Sequence, residues 1–427
     1  MSYVTVSRAR SRRYGRAALV AVLALLTFLL SPSGAGAAPP TAPLTTDPVD
    51  AAAGWLTGEF VDGDHLATEI DLNGDGVIDP VTEVFADYGL TADAIFAFSA
   101  AGSAGDAANA ATDYLEANVA GYTGDGVSES YAGSLAKLIL VADIMGRDPT
   151  DFGGQDLITR LLAQQAADGR FSDVSAFGDF SNPIGQSLAI IGLERATAAG
   201  APAAAVDFLV SVQCADGGFV SDLNTLPCAT GEVDTTAFAV QALLVAGRDV
   251  TDALAFLIGQ QAADGSFATP GFGNPPVTTA NSNSTGLAAQ ALRVLGAENA
   301  AEDAVTWLLD RQVGAGGPQE QQGAFAFDAT GFDPANATRA TTQATLGVAG
   351  IGFIDLIAPT DPLAYGLDVG GGGALPPPPP AGPPPPPAPE LPATGTAPGG
   401  LLEVGIALLV IGAAVCVLAR RRTHGAP

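Results

Sequence analysis

Histidine and cysteine are scarce in this sequence, which limits the chemistry it can support. Its 427 residues include two His and three Cys, and His65 is the only histidine before the C-terminal tail. A catalytic cysteine activated by histidine is therefore not expected. Cys416 lies in an apolar run near the C-terminus, whereas Cys214 and Cys228 flank a turn-rich segment. In an oxidising compartment we expect those two to form a disulfide, which would contribute about 3 kcal/mol.

Basic residues are also few, and they are unevenly distributed. The chain has 17 Lys and Arg against 45 Asp and Glu. Eight of the basic residues lie near the termini, so the region from Ala38 to Gly395 holds nine basic and 44 acidic residues, a net charge of −35. Such a surface repels nucleic acid and favours cations or cationic partners. Nucleic-acid binding is therefore excluded.

The N-terminus has the pattern of a secretory signal peptide. Five arginines precede the apolar run Ala17–Leu30, and small residues follow up to Ala37. The run is shorter than the roughly 20 residues that span a bilayer, so a retained anchor is the weaker alternative. We predict a signal peptide over 1–37 and a short linker over 38–47. Because of the pair Arg12-Arg13, twin-arginine export is an alternative to the general secretory (Sec) route.

The C-terminus carries three signals in order. They are the pentapeptide Leu391-Pro392-Ala393-Thr394-Gly395, an apolar run from Leu401 to Ala419, and three arginines at 420–422. Together they resemble the sorting signal of Gram-positive surface proteins. That resemblance implies that a sortase cleaves after Thr394 and joins it to peptidoglycan, while the apolar run of segment 391–427 serves as a transient transmembrane helix. The protein would then be extracellular and anchored to the cell wall; the alternative is a plain membrane anchor.

A Gly- and Pro-rich segment over 358–390 precedes this signal. Its proline run favours a stiff polyproline II rod. We interpret the segment as a spacer that crosses the wall.

Between the termini, residues 48–357 show a repeat of about 50 residues with two helical segments in each unit. Six segments carry larger apolar residues: Asp50–Phe60, Asp106–Val119, Gln155–Gln165, Pro202–Gln213, Val250–Gln261 and Ala301–Gln312. Six are rich in small residues: Gly89–Gly102, Tyr131–Met145, Pro183–Ala196, Asp234–Gly247, Ser284–Gly296 and Ala337–Gly350. The pattern predicts an all-α fold, an α6/α6 toroid in which the small-residue helices form the inner ring.

A short motif recurs after three of the outer helices, at Gln165–Phe171, Gln213–Phe219 and Gln261–Phe267. It resembles the Gln-x-x-x-Gly-x-Trp repeat of squalene cyclases and protein prenyltransferases, with Phe in place of Trp. The resemblance covers about Pro48 to Phe353 and implies the same α6/α6 toroid, which cobalamin-binding transport proteins and complement thioester domains also share.

The family's catalytic motifs are incomplete in this chain. Class II terpene cyclases protonate an alkene through the middle acid of Asp-x-Asp-Asp-Thr, and the matching stretch here places Asp234 at that position and Thr235 where the next Asp stands. Aromatic residues, which would stabilise cationic intermediates, make up 7% of the chain. The zinc ligands of prenyltransferases and the thioester Cys-Gly-Glu-Gln are missing. The simpler interpretation of Asp234 is a helix cap, like Asn182, Asn283 and Asn336.

The inner helices also align on one polar residue each. These residues are Asp93, Lys137, Gln186, Gln241, Gln290 and Gln343. In one interpretation they line the central cavity and contact a polar ligand. In the other, the glutamines satisfy buried backbone groups and the two charged residues pair with each other.

An insertion in the first repeat resembles a calcium loop of the EF-hand and dockerin kind. The resemblance implies Asp71, Asn73, Asp75, Val77 and Asp79 as ligands, with Gly76 at the turn. It departs at position 12, which is threonine, with an acid one place later. A structural Ca²⁺ is the interpretation we adopt; an Asp- and Gly-rich turn is the alternative.

Taken together, these features predict a wall-anchored extracellular toroid that acts as a binding or interaction module, with a small polar ligand in its central cavity. No complete catalytic motif supports an enzyme. The first alternative is a divergent terpene cyclase-like enzyme that uses Asp234 as its acid. A glycan-active enzyme with paired carboxylates is less favoured, because the recurrent acids Asp168, Asp216 and Asp264 occupy one turn position of the repeat.

Overall fold

The computed structural model describes residues 42–72, 77–270 and 278–368. The predicted signal peptide, most of the proline-rich spacer and the sorting signal lie outside these residues. So do Asn73 and Asp75 of the predicted calcium loop. No helix within the described ranges is both long enough and apolar enough to cross a membrane.

Thirteen α-helices occur in the described part of the chain. Six of them form the inner layer: α2 (Tyr88–Ala101), α5 (Ala132–Ile144), α7 (Pro183–Ala196), α9 (Val233–Val245), α11 (Ser282–Val294) and α13 (Pro334–Ala349). The other seven are α1 (Pro48–Gly58), α3 (Gly105–Ala117), α4 (Val119–Thr123), α6 (Leu157–Ala163), α8 (Ala203–Ser211), α10 (Thr251–Gln260) and α12 (Glu298–Leu309). Every predicted helical segment overlaps one of these helices, and the short α4 is an addition.

The six inner helices form a closed ring. Each packs against the next in the order α2, α5, α7, α9, α11, α13, and α13 returns to pack against α2. Small residues permit this close approach: a Cβ atom on Gly185 would come within 3.2 Å of the Gly133 Cα, and one on Gly347 within 2.5 Å of the Gly286 carbonyl oxygen. Outer helices such as α8, α10, α12 and α1 each cover the seam between two inner helices. The predicted helical toroid is therefore confirmed for the described residues.

The repeated Gln-to-Phe motif joins consecutive repeats. In Gln261–Phe267, the Gln261 side chain donates a 3.0 Å hydrogen bond to the Gly265 carbonyl and one of 2.8 Å to the Ala300 carbonyl on the next outer helix. Gly265 has φ +89°, and a Cβ there would lie 2.3 Å from the Asp303 carbonyl oxygen. Phe267 is fully buried, which contributes roughly 1.5–3 kcal/mol.

A fourth copy of this motif closes the ring. Gln312 donates to the Gly323 carbonyl at 3.0 Å and to the Pro48 carbonyl at 2.7 Å, which ties the last repeat to the first outer helix. Phe325 is the buried aromatic residue of this copy. The sequence pattern missed it because an insertion separates Gln312 from Gly323.

Six short strands form three pairs in the described chain. They are β1 (Leu44–Thr45) with β6 (Gly366–Leu367) in parallel, and the antiparallel pairs β2 (Ala67–Glu69) with β3 (Val84–Ala86) and β4 (Ala268–Pro270) with β5 (Thr278–Ala280). Strands of two or three residues are too short to produce an alternating pattern, so the sequence did not predict them.

The long connections, including both antiparallel pairs, lead from outer helices into the N-terminal ends of the inner helices. One of them contains a disulfide between Cys214 and Cys228, whose Cα atoms are 4.9 Å apart. These connections surround one end of the ring.

Candidate functional site: an axial cup

The segment Ile351–Leu356, which follows α13, lies across the axis of the inner ring. The Phe353 ring is 5.5 Å from the Phe96 ring on α2 and 5.4 Å from the Phe238 ring on α9, centroid to centroid. Since α2 and α9 occupy opposite places in the ring, a residue that contacts both lies on the axis. We call this segment the plug. It closes the end formed by the C-termini of the inner helices.

Polar side chains from three inner helices hold the plug in place. Arg195 donates hydrogen bonds to the carbonyl oxygens of Phe353 (2.7 Å) and Leu356 (2.8 Å). Gln241 accepts from the Phe353 N–H at 3.0 Å, and Gln290 donates to the Ile351 carbonyl at 2.7 Å. Gln241 also donates to the Gln290 side chain at 3.1 Å. These two amides are therefore occupied by the plug and by each other.

Above the plug, two rows of residues face the axis, one helical turn apart. The position of each residue is counted from the residue that precedes its inner helix. In α13 the count is set by Thr341 instead. Thr341 accepts from the Phe325 N–H and so occupies the position of Thr285 on α11, which accepts from the Phe267 N–H. The second residues form the upper row: Gly89, Gly133, Ile184, Asp234, Asn283 and Arg339. The sixth residues form the lower row: Asp93, Lys137, Leu188, Phe238, Leu287 and Gln343.

Partial exposure distinguishes these rows from the rest of the inner helices. The inner helices are otherwise almost completely buried over the same turns, yet every upper-row residue is partly or fully exposed, as are four residues of the lower row. We call the space between the rows and Phe353 the axial cup. It opens at the N-terminal ends of the inner helices, where the long connections lie.

One side of the cup carries an ion pair. The Lys137 ammonium lies 2.7 Å from the Asp93 carboxylate and donates to the Gly89 carbonyl at 3.3 Å. Burial alone would lower the pKa of Lys137, but Asp93 and Tyr122 outweigh that effect and raise it. Lys137 therefore stays charged, and the pairing that one interpretation required of these two residues is present.

Asp234 differs from its predicted role as a helix cap. The cap of α9 is Glu232, and Asp234 is the second helical residue. Its Oδ1 atom is buried and has no hydrogen-bond partner within the described residues. Burial raises the pKa of Asp234 to about 6, and the nearby Glu232 adds to this, although a hydrogen bond from Ser284 opposes it. Asp234 is thus a largely buried carboxyl group able to exchange a proton near pH 6.

Two amides in the cup also lack partners. Asn283 does not cap α11, because Asn281 does so by accepting from the Ser284 N–H at 2.9 Å. The Asn283 Oδ1 and Gln343 Oε1 atoms are buried and unpaired in the part of the chain that the structure describes. Of the remaining predicted caps, Asn182 accepts from the Gly185 N–H at 3.0 Å as expected, whereas α13 is capped by Asp333 rather than Asn336.

The structure divides the predicted row of six polar residues. Asp93, Lys137 and Gln343 line the cup, whereas Gln241 and Gln290 bind the plug below it. Gln186 faces the outer layer, where it accepts from the Phe171 N–H at 2.9 Å and donates to the Gly169 and Ala205 carbonyls. Its place in the repeat is that of Thr236, which accepts from the Phe219 N–H. This corrects the prediction of a single ring of ligand-binding residues.

Part of the predicted calcium loop is visible. Glu83, one place after position 12, is buried and accepts from the N–H groups of Leu72 (3.0 Å) and Asp79 (2.9 Å), which joins the two ends of the loop. Asp71, Val77 and Asp79 lie within the described ranges, but no cluster of three or more His, Cys, Asp or Glu placed to hold a metal occurs there. With Asn73 and Asp75 outside those ranges, calcium binding stays a prediction.

Comparison with known proteins supports the fold. No known family model matches the sequence, and no curated protein matches it either. Among solved structures, the chain is similar to a variant of the type II terpene cyclase MstE from Scytonema in complex with geranylgeranyl dihydroxybenzoate. That likeness has a TM-score of 0.52 and 14% identity over 71% of this chain and 96% of that one. The apo form gives a TM-score of 0.51 over the same shares of both chains.

A weaker likeness relates the chain to an unsaturated glucuronyl hydrolase specific for heparin, with a TM-score of 0.49 and 12% identity over 71% of this chain and 95% of that one. The hydrolase likeness carries no argument, and at 14% identity the likeness to MstE shows the fold alone. The chain has the toroid that terpene cyclases use.

Proposed function

We propose that the chain is a binding module whose axial cup holds a small polar ligand. One observation carries the proposal: Asp234, Asn283 and Gln343 are partly exposed residues of the two rows, and each has a side-chain oxygen that lacks a hydrogen-bond partner within the described residues. Each unsatisfied buried polar group costs roughly 1–3 kcal/mol. A ligand that donates hydrogen bonds to them would recover this free energy.

The remaining groups of the cup support binding rather than chemistry. The Asp93 carboxylate is neutralised by Lys137, so it does not form a second acid or base beside Asp234. In the described part of the chain, the one histidine, His65, stacks on Tyr114 with ring centroids 4.1 Å apart, away from the cup.

We also propose that the protein is extracellular and anchored to the cell wall, as its sequence predicts. Sortase would join Thr394 to peptidoglycan, and the segment before it would hold the module outside the membrane. The net charge of −35 between Ala38 and Gly395 keeps such a module soluble.

Ligand binding is tested by blocking the cup. The full chain is purified from its native host and examined by native mass spectrometry for a non-covalently bound small molecule. Asn283→Leu places an apolar side chain in the upper row and should abolish the adduct. Asn299→Leu, in the first turn of the outer helix α12, is the matched control and should keep it. An adduct retained equally by both variants would show that the cup is not the site.

A second candidate function, acid catalysis on an alkene, is favoured by Asp234 itself. A buried carboxylic acid without a partner at Oδ1, with Phe238 one turn further along the same helix, provides an acid beside an aromatic face. The similar MstE structure was solved with geranylgeranyl dihydroxybenzoate, so this compound is the first substrate to offer. A cyclised product formed by the wild type and not by Asp234→Asn would support catalysis, and an unchanged substrate would count against it.

A further inference from the structure

The charged groups of the axial cup are separated across it. Asp234 lies on α9 and Arg339 on α13, with Asn283 on α11 between them in the upper row. Neighbouring helix axes are 8–10 Å apart, so helices two places apart in a six-membered ring are separated by roughly 14–17 Å. No ion pair joins Asp234 to Arg339 within the described ranges. Asp234 and Arg339 are therefore an acidic and a basic group on separate sides of the cup.

Arg339 stands out among the cations of the described chain. Eight of the nine have a carboxylate, hydrogen-bond or aromatic partner: Lys137, Arg147, Arg160, Arg170, Arg195, Arg248, Arg293 and Arg311. The Arg339 guanidinium alone makes no such contact in the part of the chain that the structure describes, although acidic residues outnumber basic ones severalfold there. It lies close enough to Lys137 for its charge to oppose protonation of that ammonium.

The net charge on this side of the cup is therefore about +1, because Asp93 neutralises one of its two cations. Gln343, whose Oε1 atom is a hydrogen-bond acceptor without a partner in the described residues, lies on the same helix, one turn below Arg339. The Arg339 guanidinium suits a single carboxylate, which Arg binds through two parallel N–H donors. On the far side, Asp234 and Asn283 offer oxygen acceptors for hydroxyl or ammonium groups.

We infer that the ligand of the axial cup is two-ended, with a carboxylate bound by Arg339 and a hydroxyl or ammonium group that donates to Asp234 and Asn283. This inference rests on the proposed binding function and names its ligand class. Uronic acids and amino acids share this chemistry. They differ only in whether the donor end is neutral or positively charged.

Four probes separate the two ends. Isothermal titration of the full chain uses D-glucuronate, with a carboxylate and hydroxyls, and γ-aminobutyrate, with a carboxylate and an ammonium. D-glucose provides the hydroxyls alone, and acetate the carboxylate alone. We expect at least one two-ended probe to bind about tenfold or more tightly than both single-ended probes. Glucuronate alone would identify a hydroxyl donor end, and γ-aminobutyrate alone an ammonium end.

Variants assign the two ends to their residues. Arg339→Gln should weaken binding of the two-ended probe about tenfold and leave glucose binding unchanged. Arg147→Gln, which changes a half-exposed arginine outside the cup, should leave the binding of both unchanged. Because Arg339 is exposed, its replacement should keep the thermal midpoint of the wild type. Asp234→Asn tests the other end, with Asp252→Asn, the second residue of the outer helix α10, as its control.

The possible failures are distinguishable. If glucose binds as tightly as glucuronate and Arg339→Gln has no effect, the ligand is not two-ended, while binding in the cup stands. If no probe binds, the adduct in native mass spectrometry decides: a cup-bound adduct without an acidic group overturns this inference alone. The absence of any adduct sensitive to Asn283→Leu overturns the proposed function and this inference with it.

Discussion

The guanidinium of Arg195 on the inner helix α7 donates a 2.7 Å hydrogen bond to the backbone carbonyl of Phe353 on the plug. The same side chain bonds the Leu356 carbonyl and pairs with Asp143 at 2.7 Å. A single mostly buried residue therefore connects two inner helices with the segment that forms the floor of the cup. This connection predicts a large effect on stability.

Replacing Arg195 by methionine should lower the free energy of unfolding by about 2–4 kcal/mol, because buried carbonyls and a partly buried carboxylate lose their donor. Chemical denaturation of the full chain measures this. The control is Arg248→Met, which breaks an exposed pair with Asp207 and should cost less than about 1 kcal/mol. Equal losses in the two variants would contradict the role of Arg195 in holding the plug.

The repeat turn predicts opposite effects for two nearby glycines. Gly265→Ala should destabilise the protein by about 2 kcal/mol or more, because a left-handed residue gains a Cβ that would lie 2.3 Å from the Asp303 carbonyl oxygen. Gly259→Ala, within helix α10 and with nothing within 4 Å of the new Cβ, should stabilise it by about 0.5–1 kcal/mol. A tolerated Gly265→Ala would mean that the turn does not fix the spacing of the outer helices.

Asp234 should make stability depend on pH in a defined window. Its pKa is raised to about 6 in the folded chain and returns to about 3.9 on unfolding. Folding thus favours the protonated carboxyl. The stabilisation of the folded chain by this proton is complete below pH 4 and is lost as the pH rises through about 6. The loss is at most about 3 kcal/mol.

The measurement compares the free energy of unfolding of wild type with that of Asp234→Asn, whose side chain does not bind a proton in this pH range. The variant should gain stability relative to wild type between pH 4 and pH 7 and show no further relative change above that. Asp252→Asn, at the same position of an exposed helix, should show a smaller dependence. A flat difference for Asp234→Asn would mean that the carboxyl is solvated in the native protein.

Calcium binding by the first-repeat loop predicts a stability that responds to chelation. At a Ca²⁺ concentration a hundred times the Kd, binding to the folded chain adds about 2.7 kcal/mol. Treatment with EGTA should therefore lower the thermal midpoint of wild type and leave Asp75→Ala unchanged. Magnesium at equal ionic strength controls for charge screening. If EGTA does not change the thermal midpoint of wild type, the loop is an Asp- and Gly-rich turn without Ca²⁺.

The sorting signal predicts where the protein is found in the cell envelope. Thr394→Ala keeps the backbone carbonyl but changes the side chain of the sortase motif that the resemblance assigns, so the protein should move from the peptidoglycan fraction to the membrane or medium. Thr396→Ala, two residues later, should keep wall attachment. Lysozyme release followed by immunoblotting distinguishes these fractions, and wall attachment of the Thr394→Ala variant would reject the assignment.

The helical ring was predictable because periodicity and small-residue content are local properties. The register between helices was not. Sequence alignment matched Gln186 with Gln241 through a glycine six residues later, yet Gly192 lies within α7 against Ile139, whereas Gly247 follows the end of α9 with a positive φ. Only the packing reveals that difference, which equals more than one helical turn.

The cup itself needed the tertiary structure. Asp234 acquires its raised pKa from burial in the assembled ring, where a hydrogen bond from Ser284, 50 positions away on α11, opposes the rise. The plug has no periodic pattern, so nothing in its sequence indicated that Phe353 would cross the axis. The missing partners of Asn283 and Gln343 are likewise a property of the assembled ring.

The parallel pairing of Leu44 with Gly366 has a directional consequence. Both ends of the toroid emerge beside the plug, since Asp361 and Leu363 bond the backbone at the start of α3 and Tyr365 packs on Gly54 of α1. The described chain therefore departs from the face opposite the mouth of the cup. A tether attached at that point would leave the opening of the cup directed away from the surface to which the protein is attached.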